Sequence, residues 1–555
     1  MTHYDLKGWF RSGNPWVWLN AAAVSASIAI VVGLLLLIAV RGMGHFWPKA
    51  IMEAQLKGDD GQLEQLIGEP NDREVVPAER LRGAGVEVPE GVAAMSRVLL
   101  KVGNRDIGGV DFRWVLEPSL QQVSYPETLM TLERREWGNF YGYLKAVKES
   151  GNDVVTGDAA WDALQKRLDR VHELDGKIRA IEKGEIGAIN YRLEQLRLSE
   201  RRMELDKEVN PAKQAAIDEE RRQLNAHYEG LQGELQALYD ASGRDSLTAV
   251  VAGGQEVEIP LSKVVRAYRP NAMGLPAKMG FYAAKFWEFL SEEPREANTE
   301  GGIFPAIFGT VLMVILMSIF VTPFGVIAAV YLREYAKQGP LTRIIRIAVN
   351  NLAGVPAIVY GVFGLGFFVY FLGGNIDQLF FPEALPSPTF GSGGILWSSL
   401  TLAILTVPVV IVATEEGLSR IPKSIREGSL ALGATKAETL WRTVLPMASP
   451  AMMTGLILAI ARAAGEVAPL MLVGVVKLAP SLPLDLNAPF LHLERKFMHL
   501  GFHIHDVGFQ SPNVEAARPV VYATALLLVG VIVLLNLAAI AIRNRLRERY
   551  RALEQ

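Results

Sequence analysis

LAIARAAGEVAPLM, residues 458–471, sets two full charges, Arg462 and Glu466, inside one of the most apolar stretches of the chain. Whether residues 451–476 cross a membrane decides between five spans and six, and therefore on which side the C-terminal end lies. A hydrocarbon core takes about 20 helical residues to cross. Five other runs meet that length without difficulty: 16–40, 303–330, 352–372, 394–414 and 520–542. An arginine at mid-membrane costs at least ~2.5 kcal/mol, so one that persists there faces a bundle interior or a wet cavity. With 451–476 admitted on those terms, the chain reads as a mainly α, polytopic membrane protein with six transmembrane helices.

Composition agrees. The chain has 555 residues, half of them hydrophobic, with a mean hydropathy of +0.20, which points to a membrane protein with a sizeable polar part. A formal net charge of −3 gives no sign of a nucleic-acid binder. The absence of cysteine excludes disulfides, thiolate metal sites and cysteine nucleophiles together. Lys7 and Arg11 precede the first apolar run and Arg41 closes it; with no small-residue cleavage site, it reads as an uncleaved anchor.

Lys and Arg collect on the cytoplasmic flanks of short loops. Arg333, Lys337, Arg343 and Arg346 follow the second span, and Arg543, Arg545, Arg547, Arg549 and Arg551 follow the sixth. The loop after the third span offers Asp377 and Glu383 instead. These biases predict cytoplasmic N- and C-termini, with residues 1–40 holding the first span, 303–542 the remaining five and 543–555 a basic tail.

Residues 41–302 then lie outside as an insertion large enough for its own core. Leu164, Leu168, Val171, Leu174, Ile178 and Ile181 recur at steps of three and four, and Leu224, Tyr228, Leu231, Leu235 and Leu238 follow the same spacing. Pro211 interrupts the pattern. The expectation is a periplasmic α+β domain containing an antiparallel coiled-coil hairpin over about 160–241, with strands in 97–115, turning near Asn104, and in 255–261.

Between the fourth and fifth spans, residues 426–450 read REGSLALGATKAETLWRTVLPMASP. Two helical stretches flank Gly433, where glycine permits a turn other residues resist, and Pro446 is expected to stop the second helix before the membrane. This segment resembles the EAA loop of ABC importer permeases. That pattern is Glu-Ala-Ala, three residues, Gly, nine residues, an apolar position, any residue and Leu-Pro. Glu427, Gly433, Leu445 and Pro446 match in place, Gly428 and Ser429 replace the alanines, and Thr443 stands at the apolar position. From about Gly301 onward, GGIFPAIFGTVLMVI, TPFGVIAAVYLREYA, NNLAGVPAIVYGVFG and AIARAAGEVAPLMLVG resemble phosphate-importer permeases of the PstA type.

The resemblance implies a type I ABC importer permease fold in the bacterial inner membrane and transport of inorganic phosphate. It implies partners as well: a dimeric ATPase subunit seated on the coupling loop 426–446, a second, PstC-like permease and a periplasmic phosphate-binding protein. ATP and Mg would belong to the ATPase, since this chain has no Gly-x-x-x-x-Gly-Lys-Ser/Thr loop, and no cofactor or metal is expected on it. No nucleophile and base set appears, so the chain is not expected to be an enzyme.

Arg462 and Glu466, four residues apart on one helix, would lie one turn apart and could pair. One reading of such a pair is packing alone, a buried ion pair that neutralises itself. In the phosphate permeases the matching Arg and Glu are taken as channel residues, and a guanidinium fork suits a tetrahedral oxyanion. Glu466 would then gate the path or hold the arginine. Asn350 and Asn351 are expected to open and cap the third span. His492, His499, His503 and His505 fall in a loop read as solvated, and the aromatic stretch 280–290 in an interfacial segment. Sulfate, molybdate or phosphonate remain alternative substrates. A membrane sensor or scaffold, using the coiled coil to bind a partner, is the alternative of another class.

Overall fold

The computed structural model describes residues 12–57, 63–83, 85, 88–89, 91–157, 159–208, 210–295, 298–511 and 514–550. Lys7, Arg11, Arg551 and the side chain of Arg549 lie outside them. Six helices are long and apolar enough to cross a membrane: Asn14–Gly44, Phe304–Tyr335, Ala357–Phe380, Ile395–Arg420, Lys436–Gly465 and Ala517–Glu548. The chain is a multi-pass membrane protein, mainly helical, with a β-rich region between its first two spans.

Three boundaries correct the sequence reading. The third span starts at Ala357, after a separate helix Pro340–Leu352. Pro356 disfavours helical geometry at the residue before it, which separates the two. Asn350 and Asn351 therefore sit in the last turn of the preceding helix, and the Asn351 carbonyl accepts from Gly354 N at 3.0 Å. At the fifth span the helix runs through Pro446 instead of stopping there. Residues Leu440–Val444 form a π turn and Leu445–Gly465 resumes as α-helix, so the missing proline N–H falls where the hydrogen-bond register changes. That span then ends at Gly465, not at 476, and Glu466 is extended (φ −81°, ψ 132°).

Small residues bring the spans together, as they do where lipid removes any hydrophobic drive between helices. A Cβ on Gly325 would lie 2.6 Å from Val410, and one on Gly455 2.6 Å from Ala413, so the second and fifth spans both seat on the fourth. Met313, Met317, Leu402, Val410, Ala459 and Ala463 fill that contact. The first span is exposed along its apolar length and packs on the sixth at Gly42, whose Cβ would lie 2.8 Å from the Tyr522 carbonyl.

Among the described residues the region between the first two spans holds thirteen strands; two short ones, Pro294–Arg295 and Glu300–Gly301, pair with each other, and the other eleven are β1 Met52–Lys57, β2 Leu63–Pro77, β3 Ala94–Lys101, β4 Phe112–Leu116, β5 Leu120–Ser124, β6 Leu129–Arg134, β7 Phe140–Glu149, β8 Asn152–Thr156, β9 Asp245–Val250, β10 Glu256–Pro260 and β11 Val264–Tyr268. These eleven form two antiparallel sheets, ordered β4-β3-β2-β1-β5 and β10-β9-β7-β6-β11, with β8 on β7. Only β3, β4 and β10 fall in stretches recognised from sequence. The long β2 carries Pro70 and a bulge between Pro70 and Asp72, which breaks its alternation, and every residue of β6 is buried, which removes it.

Between β8 and β9 the chain makes a helical hairpin. One arm is Ala159–Arg179, a π segment Ala180–Ile186 and Gly187–Asp206; the other is Pro211–Gly243. Pro211 begins the return helix rather than interrupting one, with Asn210 capping it by accepting from Lys213 N at 3.1 Å. Ile178, Ile181 and Ile189 meet Leu231 and Leu235 along the seam, while Leu164, Leu168 and Val171 cover the six-stranded sheet. Truncating one of these to alanine would cost about 2–5 kcal/mol.

The first arm then crosses the loops of the membrane part. Lys183 pairs with Glu293, Tyr191 donates to the Ala488 carbonyl and meets the His492 ring edge-on at 6.1 Å, and Arg202 lies 3.7 Å from Glu383. Helix Leu275–Ser291, which holds the aromatic stretch, joins the sheets to the second span. Its Glu288 is buried; burial would raise its pKa, but Lys285, Arg266 and Arg295 hold it below the ordinary carboxylate value.

Candidate functional site

The fourth and fifth spans run antiparallel, with Gly455 opposite Val410 and Ala413. Seven residues further along, Arg462 lies about 10 Å nearer the side that carries the insertion. It occupies the last turn of the helix, where carbonyls without helical partners favour a cation. Glu466 is the residue just beyond, its N–H bonded to the Ala463 carbonyl at 3.2 Å.

Arg462 Nε and Glu466 Oε1 are 3.6 Å apart, with the side chains 30% and 23% exposed. The two are brought together as expected, but across a helix end and not along one helix face. That separation is an ion pair, too long for a hydrogen bond. Among the described residues it is the only ion pair of Arg462, and none of the described hydrogen bonds uses the guanidinium. The remaining guanidinium donors have no partner among the described residues.

Glycines fix the segment after the break. A Cβ on Gly361 would lie 2.7 Å from Pro469, and one on Gly364 2.3 Å from Thr401 Oγ1 and 2.9 Å from Val473, so the third span presses directly on residues 469–473. Gly474 packs backbone to backbone on Gly394, 2.7 Å from where a Cβ would sit. The first N–H groups of the fourth span find loop carbonyls: Gly394 to Val473 at 3.0 Å, Ile395 to Arg495 at 2.9 Å and Leu396 to Leu493 at 3.0 Å. The site therefore sits on a rigid backbone shared by three spans.

At the other end of the fifth span, helix Lys423–Ala431 carries Glu427 on its exposed side. Gly433 turns the chain at φ 90°, a value an L side chain resists, and Thr435 with Glu438 forms a capping box for the next helix. Leu445 is buried and Pro446 half-buried at the root of the fifth span. Leu430, Leu432 and Trp441 project into solvent at 46%, 90% and 70% exposure, an apolar surface that a lone chain leaves uncovered.

Two residues not singled out in the sequence hold this element. Arg426 donates to Glu334 at 3.0 Å and to the carbonyls of Ile421 and Leu418, both at 2.7 Å. Lys436 lies over the Tyr335 ring at 4.5 Å. Both tie the loop to the end of the second span. The only sequence signal was Arg426 beside Glu427, and its partner stands 92 positions away.

The histidine loop is a correction. His492, His499 and His503 are 2%, 0% and 2% exposed, because residues 475–511 fold back between spans. His492 lies 3.1 Å from both Asp485 and Glu494, His499 accepts from Gly501 N, and burial lowers His499 and His503 to a pKa of about 4. His503 and His505 lie on a short helix, Leu500–His505, not a strand. Among the described residues no three side chains gather as a metal site.

The chain thus combines a bundle of spans, a helix broken after Gly465 with a charge pair at the break, and a loop at the other end of that span. Residues 321–552 match the family model described as "Binding-protein-dependent transport system inner membrane component". Phosphate transport system permease protein PstA 1 of Mycobacterium tuberculosis is 34% identical over 245 residues, 44% of this chain and 71% of that protein. PstA of Mycobacterium leprae is 36% identical over 199 residues, covering 35% of this chain and 60% of that protein. PstC of Mesorhizobium japonicum is 32% identical over 190 residues, 32% of this chain and 58% of that protein. In structure, a chain of the MetNI methionine ABC transporter matches over 49% of this chain and 99% of its own, at 18% identity and a TM-score of 0.31.

The chain belongs to the family of binding-protein-dependent transport system inner membrane components. Over its C-terminal part it is similar to permease subunits named for phosphate transport, and it spans about 60% of the length of the Mycobacterium leprae relative.

Proposed function

We propose that this chain is a permease subunit of an importer for inorganic phosphate in the bacterial inner membrane. Its termini would be cytoplasmic and residues 41–302 a periplasmic domain built on the two sheets and the coiled helical hairpin. Phosphate would arrive on a soluble binding protein and pass between this chain and a second, PstC-like permease. The single observation that carries the reading is the Arg462–Glu466 pair at the broken end of the fifth span, with guanidinium donors left over.

Arg462 binds the anion through a planar fork that matches two phosphate oxygens. Glu466 holds the guanidinium while the path is empty and repels a second anion. The loop 426–446 takes the ATPase dimer, which carries ATP and Mg. Its anchorage by Arg426 and Lys436 to the second span turns ATPase closure into motion of two spans at once. Similarity to proteins named as phosphate permeases supports phosphate over other oxyanions.

Labelled-phosphate uptake in starved cells tests this, with wild type compared with Arg462→Gln at matched membrane expression. Loss of uptake in the variant, with wild-type uptake not competed by sulfate or molybdate, is expected. Competition by either anion removes the phosphate assignment, and unchanged uptake in the variant returns the pair to packing.

A further inference from the structure

A cavity of about 530 Å³ lies where the insertion meets the spans, within the usual range for a small-molecule site. Its walls come from the end of the first span, the start of the sixth, helix Leu275–Ser291 and both sheets. Among the lining residues are seven Lys or Arg and six Asp or Glu, so the space is close to electrically neutral and strongly polar.

The interior charges are spoken for. Glu69 has Lys49 at 3.3 Å, Glu133 has Lys285 at 2.7 Å, and Glu288 has Arg295 at 2.7 Å. Two lining cations differ: Arg41 and Arg518 are exposed and, among the described residues, in no ion pair. They stand together, since Gly42 packs against Tyr522 and Arg518 is one turn before it. One closes a span and the other opens one, so both lie at the depth of lipid headgroups. Deeper in the lining, Arg295 Nε is a buried donor with no hydrogen-bond partner. The first span beside the cavity is exposed along its whole apolar length, an apolar surface next to the cavity that acyl chains can cover.

We propose that this cavity is a phospholipid site taking a zwitterionic headgroup, with the phosphodiester against Arg41 and Arg518 and the ammonium inward. Two guanidinium groups supply the charge-assisted donors a phosphodiester needs. Without Arg41 and Arg518 the lining holds five Lys or Arg and six Asp or Glu, an excess of one negative charge that an inward ammonium answers and a purely anionic headgroup does not. Trp47, 39% exposed at the rim, suits the same interfacial depth. A lipid held there joins the insertion to the first and sixth spans. The site is separate from Arg462 and does not depend on which anion is transported.

Native mass spectrometry of the purified full-length chain in detergent tests it. Phosphatidylethanolamine and phosphatidylglycerol are offered separately, with millimolar inorganic phosphate as a competitor. Wild type is expected to retain one phosphatidylethanolamine in preference to phosphatidylglycerol. The double variant Arg41→Gln/Arg518→Gln should retain it about tenfold less well, while the hairpin variant Lys213→Gln retains it normally. Because both arginines are exposed, the variant's thermal midpoint is expected to match wild type in lipid-free detergent, so loss of lipid will not reflect misfolding. Equal retention by the double variant, equal retention of phosphatidylglycerol, or displacement of the lipid by inorganic phosphate would each overturn the proposal, the last by making it a free-anion site.

Discussion

Replacing Gly364 by alanine tests how the candidate site is supported. The added Cβ would stand 2.3 Å from Thr401 Oγ1, 3.1 Å from Thr401 Cγ2 and 2.9 Å from Val473 Cγ1. The nearest of these is about 1 Å inside ordinary contact. Neither neighbour yields easily: Thr401 Oγ1 is held by donating to the Trp397 carbonyl at 2.7 Å, and Val473 is fully buried. Overpacking of this kind costs about 1–3 kcal/mol, and two pinned neighbours place it near the upper end. A second change, Thr401→Ala, removes two of the three close atoms at the loss of one hydrogen bond within its own helix, worth about 1 kcal/mol. The double variant should therefore be more stable than Gly364→Ala alone, a non-additive pair in a double-mutant cycle. Denaturant unfolding of the purified protein in detergent reads the stabilities, and phosphate uptake reads the effect on residues 466–474. If Gly364→Ala unfolds like wild type, the third span does not rest on Thr401 and Val473, and the account of how Glu466 is held fails with it.

Gly433→Val should destabilise the loop between the fourth and fifth spans by about 1–2 kcal/mol, since φ 90° is hostile to a β-branched side chain; an ATPase co-purification assay should show weaker association. Arg426→Leu leaves Glu334, 13% exposed, without its guanidinium, and should lower stability by about 2–3 kcal/mol, most of which Glu334→Gln added to it recovers in a melting assay. Acid should weaken the fold through His499 and His503. Both are held neutral by burial to a pKa of about 4 when folded, while an unfolded chain protonates its histidines near 6.5. Their contribution is thus fully present above pH 6.5 and is lost as pH falls toward 4, by about 1.4 kcal/mol each at pH 5.5. A pH series of unfolding midpoints checks the slope, and His499→Gln should flatten it.

The spans were legible because a run of twenty apolar residues has few other uses, and the hairpin because Leu164 to Ile181 repeat at helical spacing. The break after Gly465 was not. Residues 466–476 remain apolar and hid the local breakers, Gly465 and Pro469, whose ring would clash with the carbonyl of residue 465; Gly361, Gly364 and Gly394, over 70 positions away, then hold the segment that follows. The histidines misled for a related reason. A loop of Pro, His and charged residues reads as solvated, yet its own Asp485 and Glu494 pair with His492, and Thr310 of the second span accepts from Leu500 N. Arg462 and Glu466 stood out as charges in an oily stretch; Arg426 did not, because an arginine in a polar loop is unremarkable until Glu334 is seen beside it.

The first hairpin arm touches the entrance of the second span at Lys183, the loop before the sixth at Tyr191 and the loop before the fourth at Arg202. From Lys183 to Arg202 it runs about 28 Å, roughly the width of a small domain. The face above the spans is consequently a relief with a ridge across it and not a level platform. A protein shaped to sit on a level platform would strike the ridge before reaching either side. If the chain takes a soluble binding protein as proposed, one shaped for a transporter without this arm is expected not to seat here, whatever solute it carries.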